Sequence, residues 1–202
     1  MSGRKDRDER IVNPKNGSWG SSSQDLVRLS VILFKHSKDY AEQFNQNVSI
    51  YTLAGIPVLF SALRALLIEA NAGMYGDLGV TNNIEQLNKC SEIKFLSNNY
   101  SIDSGLQQEL KLAYEVRNEI AHPTHLPTGT KSGTPEYLSV LRERELLEEG
   151  IWLSQMTSHK LYLWVAEILE KVAGIVLSHH YGDEVQMHSH LRSWSKYRNY
   201  KF

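Results

Sequence analysis

Between Leu112 and Pro123 the chain holds a guanidinium, an amide and an imidazole within two helical turns: Arg117, Asn118 and His122. Such a set can grip a phosphate ester and move protons on it. Arginine meets phosphate oxygens with a planar fork, and imidazole is the usual acid–base group near neutral pH. Leu106, Leu110, Ala113, Val116 and Ile120 follow one helical face, which predicts a helix over 104–122. Ser104 and Gln107 have capping-box spacing at its start. Pro123 disfavours helical backbone at His122 and ends it there. On a helical wheel Arg117 falls inside the apolar arc, where a guanidinium is costly unless paired. The expectation is a buried Arg117 met by an acid from a neighbouring element or by the anion of a ligand. The plainer reading is a surface Arg and His with no joint role.

The scaffold that must hold this helix reads as all-α. With 202 residues the chain is long enough to bury a core without staples. The formal net charge is −1, so no global field points to nucleic acid or to a membrane surface, and anion binding must come from local patches. The one cysteine, Cys90, excludes an internal disulfide framework and fits a reducing compartment. The charged N-terminus does not read as a secretory signal, and the expected location is cytoplasmic.

Residues 1–22 are polar, then Gly/Ser-rich, and read as a flexible tail. A first helix is expected over 24–45, started by Ser21 and Gln24, with Leu26, Leu29, Leu33, Tyr40 and Phe44 as its stripe. The apolar run over 48–72 reads as a core helix that Pro57 either starts or kinks. It is interrupted by Arg64 and Glu69, so a membrane span is the poorer reading. A short helix is expected over 83–95, another over 135–149 ended by Gly150, and a last long one over 158–180. His125 and Lys131 sit on the Pro/Gly-rich loop after Pro123, in reach of a phosphate held at His122. His179, His180, His188 and His190 match no zinc template, and no metal or other cofactor is expected. In 183–202 Arg192, Lys196, Arg198 and Lys201 alternate with Trp194, Tyr197, Tyr200 and Phe202. Two readings stay open: a tail that holds phosphates and stacks bases, or one that folds back through its aromatics.

Arg117-Asn118, three residues, then His122-Pro123 at the end of an amphipathic helix resembles the R-x4-6-H signature of the HEPN superfamily, in which Asn, Asp or His commonly follows the Arg. Ser61-Ala-Leu-Arg-Ala-Leu-Leu67 is similar to an early core helix of such domains. The resemblance implies a bundle of five to six helices over 23–182 and a symmetric homodimer with the two motifs facing across one cleft. It also implies a metal-independent endoribonuclease. Arg117 would polarise the scissile phosphate, Asn118 would orient its neighbours, and His122 would move protons as the 2′-hydroxyl attacks. RNA is the implied partner, with Glu119, His125, Lys131, Arg192, Trp194, Lys196 and Arg198 as weaker candidate contacts. A toxin or phage-defence role would add an antitoxin or regulatory protein. Some toxin members carry a Tyr two residues after the His, which an antitoxin modifies; this chain has Thr124 there. The rival reading is a silent HEPN-like module that dimerises or binds a nucleotide or partner. A third is an unrelated bundle with a chance motif.

Overall fold

A computed structural model describes residues 22–44, 47–72, 84–122, 135–180 and 184–200. The Trp19 segment, Ser21, Asn82, Pro123, Thr124, His125, Lys131, Lys201 and Phe202 lie outside the described residues. Among the described residues the regular structure is helical: α1 Ser22–Phe44, α2 Tyr51–Asn71, α3 Ile84–Lys89, α4 Glu92–Asn99, α5 Ser104–Ala121, α6 Glu136–Glu143, α7 Trp152–Met156, α8 His159–His180 and α9 Glu184–Trp194, then a 3-10 turn Ser195–Tyr200. The one extended feature there is an isolated antiparallel bridge between Val48 and Ser158, which ties the α1–α2 connection to the start of α8. Ser49 N–H donates to the Thr157 carbonyl (2.8 Å) and His159 N–H to that of Asn47 (2.8 Å).

α2 and α8 form the centre. α1 and α5 each pack on both. α2 is long and apolar enough to span a bilayer, but more than half of its most apolar stretch is buried inside the bundle. Its polar side chains are also engaged: Arg64 pairs with Glu92 (3.2 Å), and Glu69 accepts from the Ser23 N–H (2.9 Å) and hydroxyl (2.5 Å). Glu69 thereby satisfies free backbone at the start of α1, the role expected of a local capping box. The amide of Gln24 instead meets His190 Nδ1 at 2.6 Å. Pro57 lies inside α2 rather than at its start.

α1 is turned differently from its expected stripe. Val27, Val31, Phe34 and Ala41 face inward together with Ser23, Ser30 and Ser37, while Leu29, Ile32 and Phe44 are exposed. The three serines recur every seven residues along the buried side. Each is satisfied from another element: Ser23 by Glu69, Ser30 by the Gly55 carbonyl (3.1 Å) and Tyr162 (2.7 Å), Ser37 by Thr52 (3.3 Å) and His159 (3.0 Å). Buried hydroxyls with partners carry little penalty.

Three other boundaries differ from expectation. The 83–95 helix is two pieces, because the Ser91 side chain caps a new start by accepting from Lys94 N–H (3.4 Å). α5 is capped by Asp103, whose carboxylate accepts from Leu106 N–H (2.9 Å), not by Ser104. α6 stops at Glu143, well before Gly150. Glu145 takes φ 55°, Leu146 N–H reaches the Leu141 carbonyl (3.0 Å) and Glu145 N–H that of Arg142 (2.8 Å). That is a Schellman termination built on a non-glycine residue.

Part of the C-terminal segment belongs to the core. Trp194 and Tyr197 are each 1 % exposed, Tyr197 packs edge-on to Phe34 (5.2 Å), and Arg198 clamps Glu170 at 2.7 and 3.2 Å. Trp194→Ala is expected to cost about 3–5 kcal/mol, seen as a large fall in the denaturant midpoint.

Two imidazoles are buried and neutral. His180 Nε2 shares a hydrogen bond with the Tyr100 hydroxyl (2.8 Å), which accepts from Asn71 (3.0 Å). Burial holds both His159 and His180 down at about 4. The unfolded chain binds these protons near pH 6.5 and the folded one near 4, so stability falls as pH drops through that window. Each group steepens the loss by up to about 1.4 kcal/mol per pH unit. Melting followed from pH 7 to pH 4 should show a shallower slope in His180→Gln than in the parent.

Candidate functional site

α5 begins on the central pair and ends elsewhere. Leu110, Ala113 and Val116 are fully buried or nearly so. In the last turn the buried position is Glu119, 3 % exposed, whose carboxylate accepts from Trp152 Nε1 (2.7 Å) on α7 and from the Tyr137 hydroxyl (3.1 Å) on α6. The inward side of the helix therefore rotates along its length, from the apolar arc to the side that meets α6 and α7. This rotation carries Arg117 outward.

Arg117 is thus exposed, not buried as the wheel predicted, and the polar group inside the bundle is Glu119. Arg117 donates to the Asn118 side-chain oxygen (3.0 Å) and makes no ion pair with an acid among the described residues. Asn118 and His122 are exposed as well. The His122 N–H closes the helix on the Asn118 carbonyl (2.8 Å), and its φ of −140° takes the chain out of helical geometry. Three groups able to work on a phosphate therefore stand on the surface of one helix end. A buried carboxylate one residue from Asn118 fixes how that end is set.

α5 is anchored a second time through Glu109, which accepts from Arg144 (2.7 and 2.8 Å) and from Trp164 Nε1 (3.0 Å). Arg144 thus ties the chain after α6 to α5, and Arg142 donates to Gln155 (3.2 Å). Glu119→Ala strips two partly buried donors of their acceptor. It should cost about 2–3 kcal/mol, whereas Glu119→Gln keeps one acceptor oxygen and most of the stability; urea unfolding of the two variants measures the difference.

Of the weaker candidates, Glu119 is an anchor and Trp194 has no free face on which a base could stack. Arg198 is held by Glu170. Arg192 on α9 and Lys196 in the 3-10 turn after it are exposed, and both elements pack on α1 and α8. Among the described residues no three His, Cys, Asp or Glu side chains gather as a metal site.

One feature escaped the sequence. A pocket of about 170 Å³ adjoins Arg117, lined also by Phe60, Ser61, Arg64, Glu92 and Tyr114. Tyr114 lies three residues before Arg117 on the helix, a spacing visible in the chain, but Arg64 and Glu92 arrive from α2 and α4. Comparison with protein-family models, characterised proteins and solved structures finds no match.

Proposed function

We propose that the protein is a metal-independent endoribonuclease of the HEPN type, acting in the cytoplasm as a homodimer whose two α5 ends share one cleft. The observation that carries this reading is the exposed, acid-free Arg117 beside Asn118 at a helix end that also presents His122. A surface guanidinium with only an amide neighbour keeps most of its donors for an incoming anion. Seating it against a second copy would leave it in need of the phosphate.

The reaction is an internal transfer. The ribose 2′-oxygen attacks the adjacent phosphorus, the bond from phosphorus to the 5′-oxygen breaks, and a 2′,3′-cyclic phosphate and a 5′-hydroxyl remain. Arg117 binds the non-bridging oxygens as charge builds on them. His122 takes the 2′-hydroxyl proton and gives it to the leaving 5′-oxygen. Asn118 holds the Arg117 guanidinium in place.

Purified protein incubated with mixed RNAs in excess chelator should produce cyclic-phosphate ends. Silence against every RNA, with the fold intact, would leave a binding module in place of an enzyme.

A further inference from the structure

The pocket beside Arg117 has the make-up of an anion subsite. Its volume of about 170 Å³ is below the ~300–1,000 Å³ usual for drug-sized ligands, so it suits a compact group rather than a nucleoside. Two guanidinium groups and one carboxylate line it, which leaves one net positive charge. Arg64 is braced by Glu92 (3.2 Å), the Leu87 carbonyl (3.2 Å) and Asn88 (3.0 Å), so its charge is held still at the pocket wall. Arg117 faces the same space with no acid of its own.

Tyr114 supplies the decisive group. Its ring is wedged against Phe60 (centroids 4.6 Å apart), yet its hydroxyl makes no hydrogen bond among the described residues. Burial first, then the Glu92 carboxylate, raises the phenol well above its ordinary value against the pull of Arg117 and Arg64. It therefore remains a donor. A hydroxyl with no protein acceptor, on the wall of a pocket shared with two cations, can donate to an anionic oxygen.

We infer that this pocket holds the RNA backbone phosphate next to the one that is cut, on Tyr114, Arg64 and the near side of Arg117. The inference rests on the nuclease reading and adds to it a positioning subsite. Arg117 then touches two successive phosphates and sets the register of the strand over His122. Phosphate contacts of this kind position a nucleic acid without reading its sequence.

The test uses two substrates: a dinucleoside monophosphate, which carries the cut phosphate alone, and a short oligoribonucleotide. Tyr114→Phe removes the donor and breaks no bond in the protein. Ser61→Asp puts a negative charge at the rim, where Ser61 now bonds only to the Pro57 carbonyl. Each variant should raise KM for the oligonucleotide about five-fold more than for the dinucleotide. Equal effects on both substrates, or none, would overturn the inference. If the parent protein cleaves nothing, the nuclease reading fails, and the pocket is judged by binding of a 2′-O-methyl oligonucleotide, which cannot be cut. Binding about five-fold weaker in Tyr114→Phe supports the pocket; equal affinity, or no binding by the parent, removes it.

Discussion

Gly55→Ala should be the most damaging single methyl in the protein. A Cβ at Gly55 would stand 1.9 Å from the Tyr162 hydroxyl and 2.2 and 2.4 Å from two ring carbons. Tyr162 cannot step aside cheaply. Its hydroxyl donates to the Ser30 carbonyl (2.8 Å) and meets Ser30 Oγ (2.7 Å), and its ring packs edge-on to Phe34 (5.0 Å). α1, α2 and α8 meet at this point, so relief means moving a helix. Overpacking alone costs about 1–3 kcal/mol, and displaced buried hydrogen bonds add about 1–3 kcal/mol more. For a chain of this size that is a fall of roughly 5–20 °C in Tm. Tyr162→Phe should not rescue the variant, because the ring carbons clash as well. Tyr162→Leu should recover part of the loss; calorimetry of the two double variants separates the cases.

Arg117→Ala and His122→Ala should each lower RNA cleavage about 10²–10⁴-fold, the range for losing a proton-transfer or charge-stabilising group. Neither should move Tm by more than about 0.5 kcal/mol in stability, since both side chains are exposed and away from the core. Mixing the two inactive variants tells how the cleft is assembled. Five residues of helix put Arg117 and His122 on sides about 140° apart, so one protomer's pair does not face a common point. If each working site joins Arg117 of one protomer to His122 of its partner, half of the mixed dimers' sites are whole. Activity should return to about a quarter of the parent value at random exchange. A mixture as dead as its parts would place both groups of a site on one chain.

The helices of the centre were plain in the chain. α2, α5 and α8 lie within about three residues of where their periodicity puts them. Long periodic runs carry their own evidence, because every turn repeats it. The motif residues were equally plain as residue types at a helix end, and α5 does end beside His122. Their burial was not. A wheel assumes one inward direction for the whole helix, and α5 has two, one toward α2 and α8 and another toward α6 and α7. Trp152 and Tyr137, which hold Glu119, gave no local sign of that task.

α1 shows the same division more sharply. Its hydrophobic residues could form a stripe on either of two sides, and the greasier one, with Leu29, Ile32 and Phe44, lies outside. The inward side carries Ser23, Ser30 and Ser37 among its apolar residues, and their partners lie up to 132 residues away on α2 and α8. Helix positions, helix ends and the reactive residue types follow from interactions within a few residues, so the linear order of side chains suffices for them. Which face turns inward, which polar group is buried and which side chains meet at Arg117 depend on contacts between distant segments, and those exist only once the chain has packed.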